Sequence, residues 1–377
     1  MTTAQKSRPE KIHALTSLRF FAAFYVVLFH TLRMGFKDLI AGSPVQQAVS
    51  LGYISVSFFF LLSGYILAVV YLHDSGQVRK SSFYAARFAR VYPLFFITLL
   101  ADTPYVLSDN ALRFGWAKAV MKTIATFGAH VLMLQAWLPG IHGIDQPNWS
   151  LSVETVFYLI FPFAGVALWK LRGLRLWLVA IAIWLLSQAA VTLVAPHVAV
   201  TTAKFHPLLH VGTFSLGILL ARWQSLRRQR DGSSPLYGRS IAIALLFAGV
   251  VFALAIYKLN LLPGPNLNAG LLSPIFAMTI WACSGSSSLP ARVLSAPWLV
   301  VLGEASFGLY LIHIPVLHLF EALHWDSVRA LYPVYLALCI GLSVVSFYWI
   351  ETPTRKWILK LFQTRPKETM EAASDAQ

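Results

Sequence analysis

The chain has 377 residues, of which 57% are hydrophobic and only 12% charged, with a mean hydropathy of +0.65. That excludes a soluble globular protein, in which about a quarter of residues are charged. The formal net charge of +15 does not indicate nucleic acid, because the basic residues gather in short connectors between apolar runs, the positive-inside pattern of a membrane protein. Cys283 and Cys339 lie inside apolar segments, with neither a disulfide framework nor metal-ligand spacing around them, so no metal is expected.

Lys6, Arg8 and Lys11 precede the first apolar run with no small-residue cleavage site behind it, so that run is expected to remain as a signal anchor. Stretches long enough to cross a bilayer, which takes about 20 helical residues, fall at 15–33, 51–72, 149–169, 176–195, 207–222, 240–257, 268–283, 298–320 and 331–351. Two weaker stretches, 92–108 and 117–138, lie between the second and third. Basic clusters at Arg79/Lys80/Arg87/Arg90, Lys170/Arg172/Arg175, Arg222/Arg227/Arg228/Arg230/Arg239 and from Arg355 to Lys367 orient the chain. With these clusters inside, 149–169 starts outside, and 92–138 makes a net single crossing. Asp102, Asp109, Lys118 and Lys122 mark the weaker stretches as the least lipid-like part, one of them interfacial or re-entrant. The predicted architecture is all-α: a polytopic transmembrane bundle of about ten spans over residues 1–362, with both termini cytoplasmic. Residues 363–377 form a polar, disordered tail.

Ionisable groups inside spans are costly and mark candidate functional sites. The first span carries Arg19 and His30, roughly 16 Å apart at about 1.5 Å per residue. Arg19 is thus placed near the cytoplasmic end and His30 in the outer half. Glu154 lies five residues into a span that starts outside, so it is expected to share a depth with His30. A carboxylate beside an imidazole can orient the ring and stabilise its cation while it accepts a proton; a structural pair joining two helices is the alternative. Arg87 and Arg90, three apart on one helical face, suit phosphate groups, which guanidinium forks bind bidentately, or serve only as orienting charge. Ser306, Tyr310 and His313 lie along a span running outward, and Gly308 there allows close helix approach. Ser63 and Gly64 sit mid-membrane, where packing is the expected role. Glu351 and Pro353, beside Arg355, are expected to stop the last span with a salt bridge.

Taken together and in order, these segments resemble the acyltransferase-3 family of membrane acyltransferases. Arg19 and His30 fit its R-x10-H motif, and FFFLLSGYIL its F-x-L-S-G-Y element. Arg87, Arg90 and Pro93 fit R-x-x-R-x-x-P; Trp149, Ser150, Leu151 and Glu154 fit W-S-L-x-x-E. Ser306, Gly308, Tyr310, Leu311 and His313 fit S-x-x-x-Y-L-x-H, while Glu351 and Pro353 fit the closing E-x-P. The resemblance implies O-acylation: transfer of an acyl group, usually acetyl, from cytoplasmic acyl-CoA to a hydroxyl of a glycan or related acceptor at the extracytoplasmic side. Acyl-CoA is then a co-substrate, with no bound cofactor. His30 carries over as the catalytic residue and Glu154 as its support. Arg87 and Arg90, with Arg19 and Ser63, carry over to the donor, and Trp149, Ser306, Tyr310 and His313 to the acceptor or pocket. A bacterial cytoplasmic membrane is the expected location. Some members append an extracytoplasmic SGNH domain; none is recognised here, so the membrane domain is expected to complete the reaction.

In the expected mechanism, His30 oriented by Glu154 deprotonates the acceptor hydroxyl, with a transient acyl-imidazole as the competing version. A secondary transporter would also use intramembrane His, Glu and Arg, although neither repeat halves nor paired broken helices are evident. A non-catalytic assembly partner would need none of these residues.

Overall fold

The computed structural model describes residues 13–72, 76–138, 140–141, 144–231, 264–284 and 289–363, and among them no strand occurs. The helices are α1 (His13–Thr31), α2 (Pro44–Val49), α3 (Ile54–Tyr71), α4 (Lys80–Phe114), α5 (Trp116–Val131), α6 (Trp149–Trp169), α7 (Gly173–Val194), α8 (Val200–Phe205) and α9 (Val211–Asp231). They continue with α10 (Gly264–Asn268), α11 (Ser273–Cys283), α12 (Leu289–Leu294), α13 (Pro297–Glu304), α14 (Ser306–Ala322), α15 (Tyr332–Ser346) and α16 (Thr352–Gln363). Seven described helical segments are long and apolar enough to cross a membrane, or eight when α13 and α14 count as one bent span. An all-helical architecture satisfies what lipid requires, because every backbone polar group of a helix finds its partner within the segment. The protein is an integral membrane protein. The expected 240–257 span, and the tail beyond Gln363, lie outside the described residues.

The two weak stretches of the sequence form an αα-hairpin. Helix α4 runs for 35 residues through Pro93 and Pro104, and Gly115, at φ +78°, closes it and opens α5. With 16 residues, α5 is shorter than the roughly 20 that a crossing takes. Trp116, Met121 and Ile124 are exposed along it.

Between helices in lipid the hydrophobic effect supplies little, and close packing of small residues takes its place. At the crossing of α3 and α9, a β-carbon on Gly64 would stand 2.0 Å from the Phe214 carbonyl oxygen, and one on Gly217 2.0 Å from the Leu61 carbonyl oxygen. The packing role expected for Gly64 is therefore observed. Gly308 likewise lets α14 approach α15, since a β-carbon there would lie 2.6 Å from Ser346 Oγ. Gly303 sets α13 against the backbone of Thr16 on α1, at 2.1 Å by the same measure.

Two expectations are corrected. The 298–320 stretch is not one straight helix: it bends by 57° between α13 and α14. The last span does not stop at Glu351. Residues Phe347–Glu351 form a π-helical turn that passes straight into α16, with Pro353 in its first turn, where proline is tolerated. No Glu351–Arg355 ion pair forms; Glu351 is buried and its Oε1 has no hydrogen-bond partner.

Candidate active site

Five helices converge on a cavity of about 140 Å³. Arg19 reaches it from α1, Ser63 from α3, Arg87 and Arg90 from α4, and Glu154 and Tyr158 from α6, while Ser306 and Tyr310 of α14 also line it. On α4, Arg87 and Arg90 share a face one turn apart, as the sequence spacing predicts. The Arg87 guanidinium donates to Tyr71 Oη at 3.2 Å. It sits 5.6 Å from the Tyr71 ring, 6.0 Å from Phe83 and 5.8 Å from Tyr158, an aromatic collar that fixes its plane. Arg87 Nε and Arg90 Nη2 are buried without a hydrogen-bond partner. Among the described lining residues, three guanidiniums against one carboxylate make the cavity cationic, and two unpaired, desolvated N–H donors are strong sites for an anion.

Glu154 belongs to this cavity and not to His30. Its Oε1 accepts from Tyr158 Oη at 2.5 Å and from Ser63 Oγ at 3.4 Å, so the expected Glu154–His30 pair is not formed. The cause lies upstream. Counting inward from the outer face assumed that α6 starts at the membrane surface. The segment ahead of it instead folds inward: Met133, Gln135, Ile144, Asp145, Pro147 and Asn148 are all buried. Helix α6 therefore begins inside the protein, and its sixth residue lines the cavity with the arginines.

His30 has different partners. Its Nδ1 is 3.0 Å from the Val26 carbonyl oxygen and 3.3 Å from His313 Nε2, the two imidazole centroids being 5.2 Å apart. A carbonyl can only accept, so Nδ1 carries the proton of the neutral ring. His30 Nε2 is then left with its lone pair, the form a general base requires. Its other nitrogen would share its hydrogen between Val26 and His313. The Phe29 ring stands edge-on at 4.9 Å. His313, fully buried, is held in turn by Tyr335, whose hydroxyl donates to the His313 carbonyl oxygen at 2.7 Å.

Tyr310 connects the two halves. It lines the cavity, its ring lies 6.1 Å from that of His313, and its hydroxyl is 2.8 Å from both Ser150 Oγ and the Pro147 carbonyl oxygen. Ser306 donates to the Gly303 carbonyl oxygen at 2.7 Å, at the bend between α13 and α14. Trp149, expected in the acceptor pocket, does not line the cavity. It is buried, stacked on Phe205 at 4.6 Å and beside His210.

Two groups of residues were missed from sequence. Tyr158 lies one turn beyond Glu154, an i,i+4 spacing that could have flagged it. The other group holds the entry to α6. His318 Nδ1 meets Asp102 Oδ1 at 2.5 Å, the Asp145 backbone N–H donates to Asp102 Oδ2 at 2.7 Å, and Asn148 donates to Asp145 Oδ2 at 2.9 Å. Asp102 and His318 are 216 positions apart, and no local pattern announces such a pair.

The described residues thus form a cationic, Tyr-lined cavity inside a helical membrane protein, with His30 and His313 outside its described lining and Tyr310 between them. The chain belongs to the acyltransferase-3 family: the model described as the acyltransferase domain matches residues 12–350. Among its relatives, "Acyltransferase MdmB" of Streptomyces mycarofaciens is 32% identical over 332 residues, covering 82% of this chain and 80% of that protein. "Nodulation protein 10" of Rhizobium leguminosarum bv. viciae is 26% identical over 364 residues, 90% of this chain and 92% of that protein. A candidate O-acetyltransferase of Staphylococcus aureus (strain COL) is 25% identical over 383 residues, 94% of this chain and 59% of that protein. No solved structure matches the chain. The protein is an acyltransferase, and its relatives support transfer to oxygen.

Proposed function

We propose that the protein transfers an acyl group, acetyl in the first instance, from cytoplasmic acyl-CoA to a hydroxyl of a glycan or related acceptor reached from the extracytoplasmic side. The observation that carries this reading is the pair of unpaired, buried guanidinium donors, Arg87 Nε and Arg90 Nη2, in a cavity that also holds Arg19. Such donors suit the phosphates of CoA. The pantetheine arm then runs past Ser63, Ser306 and Tyr310 and brings the thioester towards His30 and His313.

His30 Nε2 takes the proton of the acceptor hydroxyl as the oxygen attacks the thioester carbonyl. The C–S bond breaks, and the thiolate recovers the proton from the imidazolium, so the cycle releases the ester and CoA thiol with no net proton. As imidazolium, His30 keeps its Nδ1–H on Val26 and His313, which stabilises the cation in place of a carboxylate. Glu154 acts on the donor side, balancing part of the arginine charge. The acyltransferase reading does not choose the acceptor; sugar and macrolide hydroxyls are the first classes to test.

This reading takes ten crossings with both termini cytoplasmic: the seven segments, the bent α13–α14 pair, α9 and the apolar stretch 240–257. The membrane is the bacterial cytoplasmic membrane. The experiment is a proteoliposome assay with radiolabelled acetyl-CoA sealed inside and a panel of glycans and macrolides outside. Label appearing on an external acceptor supports the proposal. Label that never leaves the donor with any acceptor, although the donor binds, contradicts it.

A further inference from the structure

A second concavity lies away from the active site and shares none of the described lining residues with it. It is a groove of about 510 Å³ between α7, α9 and α11. Among the described residues its wall carries four tryptophans, Trp177, Trp184, Trp223 and Trp281, and only Arg227 and Ser273 of the described lining residues are polar. It continues into an adjoining hollow of about 450 Å³, which shares Leu176, Trp177, Trp223 and Arg227 and adds Gly173 and Arg230. The chemistry therefore changes along its length from hydrocarbon-like to cationic.

The cationic end is fixed in place. The Arg227 guanidinium lies 5.5 Å from the Trp223 ring and 5.7 Å from the Trp281 ring. A cation over two indoles is held more firmly than one on a free side chain. Trp177 and Trp281 each stand edge-on to Trp223, at 5.8 and 5.7 Å, so three indoles form one continuous wall. The first residues of α7 and the last of α9 lie at the same end of the bundle, where Arg222 Nε donates to the Leu171 carbonyl oxygen at 3.2 Å. The exposed Arg172 and Arg175 flank that end and add positive charge beside the hollow. An apolar trough ending in arginines at one membrane face complements a molecule with an acyl chain and an anionic headgroup.

We propose that this groove is a binding site for one anionic phospholipid, its acyl chain along the tryptophan wall and its phosphate at Arg227 and Arg230. Basic pockets between transmembrane helices bind anionic headgroups. A zwitterionic lipid of the same chain length fills the trough equally well but gains less from the arginines. The preference for charge, not the presence of lipid, is thus the signature of the site.

The test uses the full-length protein in nanodiscs of phosphatidylcholine doped with phosphatidylglycerol or phosphatidylcholine brominated on the acyl chain, reading quenching of tryptophan fluorescence. Brominated phosphatidylglycerol is expected to quench the wild type at a mole fraction about tenfold lower than brominated phosphatidylcholine. Arg227→Gln/Arg230→Gln is expected to bring the two curves together while acetyl-CoA binding stays unchanged, since neither residue lines the active-site cavity. If the double variant does not fold, Arg230→Gln alone, an exposed position, is expected to narrow the gap. Coincident curves in the wild type, or an undiminished preference in a folded variant, would overturn the proposal.

Discussion

At the scale of single residues, the account assigns binding and chemistry to different side chains, and the two can be separated. His30→Ala is expected to lower the transfer rate by about 10²–10⁴, the usual contribution of a positioned general base, while donor affinity holds. His313→Ala leaves the base and removes one of the two acceptors of its Nδ1–H, the Val26 carbonyl remaining, so a smaller loss is expected. Arg87→Ala or Arg90→Ala should act on affinity instead. Losing one charge-assisted hydrogen bond, at about 1.5–3 kcal/mol, weakens acetyl-CoA binding by roughly tenfold to a hundredfold, measurable by calorimetry in detergent. Much at this scale was legible in the sequence. Arg19, His30, Arg87 and Arg90 lie on regular helices, where spacing alone fixes relative height and face. Glu154 was misplaced because its partners depend on a segment that folds into the protein without any periodic signal. The orientation of His30 by His313 is set by the packing of α1 on α14, which no spacing reveals.

The elements make their own predictions. Gly64→Ala puts a methyl carbon 2.0 Å from a backbone oxygen on α9, a contact that only separation of the helices relieves. A loss of about 1–3 kcal/mol is expected, seen as an earlier thermal unfolding transition. Gly128→Ala, whose β-carbon would meet nothing within 4 Å, should leave that transition in place. The turn into α6 predicts a pH effect. Burial, and then the Asp102 carboxylate, push the Asp145 carboxyl well above the usual carboxylate range. Its proton is held more tightly folded than unfolded, so stability falls as pH rises from the unfolded pKa, about 3.9, through the folded one. Asp145→Asn removes the penalty for the charged form. It should raise the unfolding temperature at pH 8 and change it little at pH 4. Element order and helix type were readable from hydropathy. The bend at Ala305 and the π-turn at Glu351 were not, because each is imposed by neighbouring helices: Gly303 packs on α1, and Gly308 brings α14 onto Ser346 and Glu351.

For the whole molecule, composition already dictated a membrane bundle; within 92–138, α4 is long and apolar enough to cross a bilayer and α5 is shorter than a crossing takes. What composition could not supply is the convergence of α1, α3, α4, α6 and α14 on one cavity, since contacts between helices in lipid depend on shape more than on hydrophobicity. The central claim is that this convergence places a donor held by arginines within reach of a histidine base. Its most direct test is a single-turnover experiment on purified His30→Ala protein, preloaded with radiolabelled acetyl-CoA and mixed with an acceptor that the wild type acetylates. The account predicts wild-type donor affinity with the label remaining on CoA. Transfer at the wild-type rate from the alanine variant would contradict it.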